Sequence, residues 1–248
     1  MPDTYDILAT IHDEIHLGDF APVITPRLVD AAQRSDWTGR RVLDLGCGSG
    51  ISLEWLAQHG YLVTGIDKSA AMLNMARHRT GNNVTLRQQN ILDFNQPEDV
   101  DLVLSLDTLH ELNSLRDFER VFQQVHHILR ADKFFIFDVY TIEGLVQRQQ
   151  SGDTIQHDHD GLLILTRNSY DYERQIQTRQ YTIFQRLNNN WERQDTERIL
   201  RAYPVQAIAA LVQRCGYDIV RVFNPALHDY SPGESTNRVL FMVKKSTD

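Results

Sequence analysis

The chain has 248 residues, of which 42% are hydrophobic and 23% are charged, and its formal net charge is −8. This balance is typical of a folded globular protein made of one large domain, or of a core with a modest elaboration. Binding to the DNA or RNA backbone needs clustered Lys and Arg, and the sequence contains no long basic run. We therefore expect no nucleic-acid partner.

Patterns for targeting, membrane insertion and metal binding are not evident in the sequence. The N-terminal segment carries acids where a signal peptide needs a basic start followed by an apolar block. No segment has the apolar length that spans a bilayer. The two cysteines, Cys47 and Cys215, are too far apart for a metal-ligand motif. We expect a cytoplasmic protein with no metal site and no membrane partner.

The first half of the chain alternates short apolar runs with segments of helical periodicity. The apolar runs predict strands at 41–46, 61–67, 84–89, 100–106 and 133–140. The periodic segments predict helices at 51–60, from an N-cap at Ser69 towards Gly81, and at 114–130. Such alternation is typical of parallel strands joined by crossover helices, and these sheets bind ligands at the carboxyl ends of their strands.

The second half of the chain has a different pattern. Residues 162–203 are rich in Thr, Tyr, Ile and Arg, with turn signals near Asp171 and at 188–190. They predict an antiparallel meander that is inserted after the fifth strand. The Asp- and His-rich stretch 153–160 is expected to be a loop. The remaining predicted elements are a helix from Pro204 to Arg214 and two strands at 217–223 and 238–244.

The segment VLDLGCGSG, residues 42–50, joins the first predicted strand to the first predicted helix. Dinucleotide folds prefer the spacing G-x-G-x-x-G, whereas these three glycines are two positions apart. Asp44 precedes the turn and would repel a pyrophosphate. It suits S-adenosylmethionine, which carries a sulfonium and an ammonium group and no phosphate. Asp67 ends the second strand, where an acid commonly accepts hydrogen bonds from ribose hydroxyls.

Further segments extend this pattern, and together they identify a family. They are VTGIDKSAAMLNMAR (63–77), LRQQNILDF (86–94), VDLVLSLDTLHEL (100–112) and FFIFDVYT (134–141). With the glycine-rich turn, they resemble the class I S-adenosylmethionine-dependent methyltransferases over roughly the first 150 residues. The insert and the start YDILATIHD are similar to the subgroup that methylates amines of small molecules such as amino acids or aminosugars.

The resemblance implies a fold and a division of the chain. The fold is an α/β, Rossmann-like, doubly wound sheet of seven strands with a small antiparallel β insertion after strand five. Residues 1–150 and 204–248 would form the methyltransferase core. Residues 151–203 would form the inserted meander, which covers the acceptor side and takes no part in the cofactor site.

The resemblance also implies a set of residues that bind S-adenosylmethionine. Asp44 and the glycine-rich turn would hold the methionine end, and Asp67 would bind the ribose. Asn90 stands where the family often has an Asp that bonds the adenine amino group, and His12 replaces a second aromatic of the N-terminal lid. Met72 fits a buried core position equally well. The full set is Tyr5, Asp44, Gly46, Cys47, Gly48, Asp67, Lys68, Met72, Asn90, Ile91 and Leu106.

The catalytic candidates are His110 and Tyr140, which follow the fourth and fifth strands. Methyl transfer from a sulfonium needs a general base only if the acceptor must lose a proton. His110 would then act either as that base or as a group that positions the acceptor. Packing in the loop is the alternative for His110, and ordinary strand packing is the alternative for Tyr140.

Three functions agree with these features, and the first is favoured. They are methylation of a small molecule, cofactor binding by a non-catalytic regulatory subunit, and methylation of RNA or protein. The meander contains seven arginines and five acids. This excess of positive charge indicates either exposed strand faces that carry charged side chains or a pocket that attracts an acceptor with a carboxylate or phosphate. An antiparallel insert also favours a homodimer, although the sequence leaves the oligomeric state open.

Overall fold

The computed structural model describes residues 4–96, 99–148, 152–188 and 190–246. The strands in these ranges are β1 (Arg41–Leu45), β2 (Leu62–Asp67), β3 (Val84–Gln88), β4 (Val100–Ser105), β5 (Leu129–Tyr140), β6 (Asp153–His159), β7 (Leu162–Asp171), β8 (Ile176–Leu187), β9 (Asn190–Arg201), β10 (Tyr217–Phe223) and β11 (Arg238–Lys245). The helices are α1 (Thr4–Leu8), α2 (Phe20–Arg34), α3 (Ile51–Gln58), α4 (Ala70–Thr80), α5 (Leu115–Ile128), α6 (Ile142–Gln147) and α7 (Val205–Arg214).

A main sheet of seven strands has the order β10-β11-β5-β4-β1-β2-β3. Strands β1 to β5 run parallel, whereas β11 is antiparallel to both of its neighbours, β5 and β10. The apolar, largely buried strands β1 and β4 form its centre, as expected for a sheet that helices cover on both faces. The predicted Rossmann-like fold is confirmed.

The predicted helices form where the sequence supplies their caps. The hydroxyl of Ser69 accepts a hydrogen bond from the Met72 N–H at 3.1 Å, which begins α4 as predicted. Ser114 caps α5 in the same way through the Asp117 N–H. Three helices, α1, α2 and α6, were not predicted from the sequence pattern. Pro22 and Pro26 obscure the helical pattern of α2, although its buried face contains Ile24, Leu28 and Val29.

The second sheet consists of β6, β7, β8 and β9 in antiparallel order. The meander is therefore confirmed, but the loop predicted for 153–160 is wrong, because Asp153–His159 pairs with β7 as an edge strand. Charged, solvent-facing side chains are common on edge strands, and here they hide the strand pattern. Arg167 on β7 forms two hydrogen bonds to Asp153, at 2.7 and 2.8 Å. Two positions in this region, Ser151 at the predicted boundary and Asn189 in the predicted turn, lie outside the described residues.

Two small apolar clusters attach the second sheet to the rest of the molecule. In one, Ile164, Tyr181 and Ile183 of the second sheet pack with Leu8 and Met72. In the other, Tyr170 and Leu200 pack with Tyr140, Leu145 and Ala202. Since α4 follows β2 and Tyr140 ends β5, the second sheet lies near the carboxyl ends of the parallel strands.

Candidate active site

The glycine-rich turn leaves β1 in a backbone conformation that favours glycine. Gly46 has φ of +77°, and a Cβ there would lie 2.3 Å from the Thr108 side-chain oxygen, so glycine is required for close approach. Gly48 has φ of +51°, and a Cβ there would meet nothing within 4 Å. The Gly48 position is therefore open, as expected where a ligand lies against the backbone.

Asp67, at the end of β2, connects this turn to α4. One carboxylate oxygen accepts from the Gly48 N–H and the other from the Ser69 N–H, both at 2.9 Å. A carboxylate has about four acceptor positions, so two remain for ligand hydroxyls. The pKa of Asp67 is raised because the effect of burial exceeds the opposing effect of the two backbone hydrogen bonds.

Two adjoining cavities collect the predicted cofactor residues. The larger, about 210 Å³, is lined by Tyr5, Gly46, Asp67, Lys68, Asn90 and Ile91 together with residues that follow β4. The smaller, about 70 Å³, is lined by Tyr5, Cys47, Gly48, Met72, Leu106 and His12, among others. Of the predicted set, Asp44 alone lies outside both linings. A groove of about 790 Å³ between α1 and the second sheet contains none of these residues.

Asp44 is buried within β1, and its environment suits a cationic ligand. Burial raises the pKa of Asp44 to about 7, and repulsion from Asp67 adds to the shift. The same two carboxylates, together with burial, raise the pKa of the Cys47 thiol well above its usual value. A nearby positive charge would stabilise the ionised form of Asp44. The region therefore fits the ammonium and sulfonium of S-adenosylmethionine better than a phosphate.

Tyr5 lies on α1 and lines both cavities, as does Asp107. Its hydroxyl donates to the Glu111 carboxylate and accepts from Arg198 Nε at 2.8 Å. The same Nε lies 2.6 Å from Glu111 Oε1. Met72, in contrast, is buried among apolar residues and also lines the smaller cavity, so its core position is confirmed and its contact with the cofactor stays a prediction.

Arg198 comes from β9 of the second sheet, is only 6% exposed and lines the smaller cavity. The meander was expected to take no part in the cofactor site, whereas Arg198 of this segment lines a cavity together with residues predicted to bind the cofactor. The sequence analysis noted the arginines of the meander without selecting one. The sequence did contain a signal for the inward orientation of Arg198, because Leu200 is apolar and residues two apart on a strand share a face. That alternation turns Arg198 inward.

His110 is fully buried in the turn after β4. Its Nε2 lies 3.4 Å from Arg198 Nη2 and 3.7 Å from Asp107 Oδ1, and its Nδ1 has no partner among the described residues. Burial lowers the pKa of His110 well below its usual value, so the ring is neutral at neutral pH. Because Arg198 donates to Nε2, the proton lies on Nδ1. This arrangement favours a positioning role over a general base.

Tyr140 ends β5, with its ring centroid 4.7 Å from that of His110. Its hydroxyl oxygen accepts from Arg148 at 2.9 Å and from Arg238. With both lone pairs used, the hydroxyl hydrogen is the group that remains for a ligand. Neither Tyr140 nor His110 lines the two cavities, so their catalytic assignment stays a prediction.

A buried ionic network that the sequence analysis missed lies beside these residues. Arg238 on β11 donates to Asp107 and to Asp138, at 2.7 Å in both cases. Arg238 and Arg198 hold the pKa of Asp107 well below its usual range against the effect of burial, whereas burial raises the pKa of Asp138 to about 6. Ligand atoms of Asp107, Asp138 and His110 lie within 4.8 Å of one another. The Arg238 guanidinium, which donates to both carboxylates, already supplies the positive charge that a metal ion would bring.

Comparison with known proteins agrees with this geometry. Residues 42–132 match the family model described as a methyltransferase domain. YqeM of Bacillus subtilis (strain 168), a protein assigned as a methyltransferase, is 26% identical over 211 residues, which are 83% of this chain and 84% of YqeM. The ubiquinone biosynthesis O-methyltransferase of Pasteurella multocida is 43% identical over 86 residues, which are 32% of this chain and 36% of that enzyme.

Solved structures reproduce the fold over nearly the whole chain. An S-adenosylmethionine-dependent methyltransferase from Clostridium acetobutylicum has a TM-score of 0.82 and 22% identity, covering 98% of this chain and 99% of that one. CalS10, an amino pentose methyltransferase from Micromonospora echinaspora solved with the cofactor bound, has a TM-score of 0.69 and 18% identity over 91% and 92% of the two chains. The matched domain and these relatives support an S-adenosylmethionine-dependent methyltransferase, and the main sheet has the Rossmann-like class I fold. Within the described ranges, no helix is long and apolar enough to cross a membrane.

Asp67 offers a direct test of the ribose assignment. Replacing Asp67 with Ala removes the acceptor of the Gly48 and Ser69 N–H groups and the acceptor predicted for two ribose hydroxyls. We expect cofactor affinity to fall by about 1–3 kcal/mol, measured by calorimetry with S-adenosylhomocysteine. Asp93, which is exposed beyond β3, is the matched control, because Asp93→Ala should leave affinity unchanged. Equal affinity for wild type and Asp67→Ala would remove the ribose role.

The pKa of Asp44 predicts how cofactor affinity depends on pH. Only ionised Asp44 pairs with the ligand ammonium, so binding favours proton release. Affinity for S-adenosylhomocysteine should rise with pH up to the Asp44 pKa of about 7 and level off above it. 5′-Methylthioadenosine lacks the ammonium group and should show a flatter profile in the same titrations. If Asp44→Asn keeps the slope, the titrating group is another residue.

Proposed function

We propose that the protein transfers the methyl group of S-adenosylmethionine to a small-molecule acceptor held beneath the second sheet. The cofactor supplies an electrophilic methyl group on a sulfonium, with a neutral leaving group. The chain must align the acceptor with the methyl group and exclude water, and the acceptor must have a free lone pair. The observation that carries the proposal is that Arg198, a residue of the second sheet, lines the smaller cavity together with Gly48, Met72 and Leu106. A sheet in that position leaves space for a small acceptor.

In this proposal His110 and Tyr140 position the acceptor. The neutral His110 ring presents Nδ1–H, and Tyr140 presents its hydroxyl hydrogen, so both act as hydrogen-bond donors. An amine acceptor with a free lone pair needs no base at the transfer step. A phenol or carboxylic acid acceptor would instead have to arrive ionised.

The names of similar proteins support a small acceptor. CalS10 is named as an amino pentose methyltransferase, and KedS8 of Streptoalloteichus as a sugar N-methyltransferase. The Pasteurella multocida relative is named for O-methylation in ubiquinone biosynthesis. These names cover both nitrogen and oxygen acceptors, so they leave the acceptor atom open.

Turnover with methyl-labelled cofactor tests the proposal. Wild-type protein is incubated with panels of amines, carboxylates and phenols, and labelled product and S-adenosylhomocysteine are measured. We expect label in at least one class of small molecule, and much less with Asp67→Ala, which acts as the cofactor-site control. Label that enters only RNA or protein fractions would contradict the proposal.

Two alternatives predict different results, one in this turnover assay and one in RNA binding. A regulatory subunit would bind the cofactor and release no S-adenosylhomocysteine with any acceptor. An RNA methyltransferase would bind RNA with a steep dependence on salt, because several phosphates would be neutralised. We propose a cytoplasmic protein with no nucleic-acid partner. We also propose a homodimer, for which the exposed Ile155 and Trp191 of the second sheet offer apolar surface.

A further inference from the structure

The inner face of the second sheet carries a row of polar side chains. Asn168 on β7 lies opposite Arg179 on β8, which lies opposite Arg198 on β9. Directly opposed residues of antiparallel strands present their side chains on the same face. Arg179 and Asn168 therefore share the face from which Arg198 reaches the cofactor cavity. The next row, Tyr170 opposite Gln177, lies one step further along the same face.

The arginines near this face fall into two groups. Arg198 and Arg238 are paired with Asp107, Glu111 and Asp138. Arg148 and Arg179 have no carboxylate partner among the residues that the structure describes. Arg148 donates only to the Tyr140 hydroxyl, at 2.9 Å, and Arg179 only to Gln156 Oε1, at 2.8 Å.

These two cations lie in one region. Arg148 follows α6, which packs against β8, the strand that carries Arg179. The Arg148 guanidinium carbon is 5.0 Å from the Tyr140 ring centroid, and that of Arg179 is 5.3 Å from the Tyr181 ring centroid. Burial lowers the pKa of Arg179, and repulsion from Arg148 and Arg198 acts in the same direction. Two partly buried, unneutralised guanidinium groups are costly unless an anion lies between them.

Unpartnered polar atoms surround the same region. Among the described residues, buried atoms without a hydrogen-bond partner include Arg179 Nε, Asn168 Oδ1, Tyr170 hydroxyl, Gln177 Oε1 and His110 Nδ1. The first four lie on the inner face of the second sheet, and His110, in the turn after β4, contacts Arg198 of that sheet through Nε2. Buried polar groups are normally satisfied, so this concentration indicates a polar ligand at this face.

We propose that the acceptor carries an oxyanion, either a carboxylate or a phosphate monoester, which binds Arg148 and Arg179 beneath the second sheet. This inference rests on the proposed function, because it assigns a substrate class to the same site. Guanidinium groups bind both oxyanions by paired N–H donors. With the oxyanion at Arg148 and Arg179, the rest of the acceptor extends towards His110 and Tyr140, beside the cofactor cavity.

Binding of simple anions tests this site without knowledge of the substrate. Calorimetry is done with saturating S-adenosylhomocysteine, using phenyl phosphate, benzoate and, as the neutral probe, benzyl alcohol. We expect phenyl phosphate or benzoate to bind at least about tenfold more tightly than benzyl alcohol, which is about 1.4 kcal/mol. Whichever anion binds more tightly identifies the phosphate or the carboxylate as the natural group.

Variants locate the anion. Arg148→Gln and Arg179→Gln should each weaken binding of the preferred anion about tenfold and leave S-adenosylhomocysteine affinity unchanged. Arg179→Lys keeps the charge and should lose less, and it serves if Arg179→Gln is poorly folded. The matched control is Arg193→Gln, since Arg193 lies on the outer face of the second sheet and is paired with Asp195.

Two results would overturn the inference. One is equal binding of benzyl alcohol and both anions, and the other is an equal loss in Arg193→Gln and Arg179→Gln. These failures are distinct from failure of the proposed function. Turnover of neutral acceptors without anion binding would remove the oxyanion site alone. Anion binding that depends on Arg148 and Arg179 would support the site even if the label reached no small molecule.

Discussion

Replacing Arg238 with Met is expected to lower the free energy of unfolding by about 3–5 kcal/mol. Arg238 is 5% exposed and donates to both Asp107 and Asp138. Asp138 has no other basic partner in the described ranges, so the substitution leaves a buried carboxylate uncompensated. Met retains much of the volume, which separates the electrostatic effect from the loss of packing. Urea unfolding with a linear extrapolation measures the change.

The pH dependence of this loss adds a second readout. Asp138 has a pKa of about 6 in the folded protein, above its usual value, so the folded state holds this proton more tightly than the unfolded state. Its contribution to stability is therefore greatest at low pH and falls as pH rises through about 4 to 6. Without Arg238 the pKa of Asp138 should rise further. The loss of unfolding free energy in Arg238→Met should therefore be smaller at pH 5 than at pH 8.

Arg221 provides the matched control for Arg238. It also lies on a strand of the main sheet and pairs with Asp229, but the two side chains are 40% and 72% exposed. Exposed ion pairs contribute at most about 1 kcal/mol, so Arg221→Met should have little effect. Equal losses of stability in the two variants would mean that burial does not explain the contribution of the Arg238 network to stability.

Replacing Arg198 with Met is expected to lower methyl transfer by at least about a hundredfold, or 2.7 kcal/mol. The guanidinium contacts Tyr5 and Glu111 at the cofactor cavity and His110 beside the proposed acceptor position. Its loss removes the hydrogen bonds from Arg198 to Glu111 and to the Tyr5 hydroxyl. We also expect S-adenosylhomocysteine affinity to fall about tenfold. Single-turnover kinetics with labelled cofactor and calorimetry measure the two effects separately.

A double-mutant cycle with Glu111→Gln shows whether the loss arises from this contact. If Arg198 acts through Glu111, the two substitutions together should cost less than the sum of their separate effects. Arg193→Met, on the outer face of the second sheet, is the control for changes in that sheet. Unchanged turnover and cofactor affinity in Arg198→Met would mean that the second sheet only covers the main sheet.

Local sequence signals predicted the main sheet, and most of the residues expected to bind the cofactor line two adjoining cavities. The apolar runs that end in Leu45 and Asp67 form adjacent parallel strands, and their carboxyl ends bring the glycine-rich turn and Asp67 together. Ser69 caps α4, so the hydrogen bonds around Asp67 follow from short-range pattern. Ten of the eleven predicted cofactor residues line the two adjoining cavities, because their positions depend on the ends of β1 to β4.

The buried ionic network could not be predicted in the same way. Arg238 and Asp107 are 131 positions apart, and their contact depends on β11 pairing with β5 beside β4. No local periodicity records such a pairing. Arg198 was detectable in principle, since alternation with Leu200 turns it inward, but its partners on α1 and after β4 depend on how the second sheet docks. The edge strand β6 was missed because its Asp and His side chains resemble those of a loop.

A crystal structure with S-adenosylhomocysteine bound is the most direct test of the central claim, that the methyl group is transferred at the inner face of the second sheet. We expect the ribose hydroxyls at Asp67, the amino-acid portion beside Asp44 and the Gly46–Gly48 turn, and the sulfur directed towards Arg198 and His110. A ligand in the same cavities with its sulfur directed away from the second sheet would contradict the account. So would binding in the groove between α1 and the second sheet.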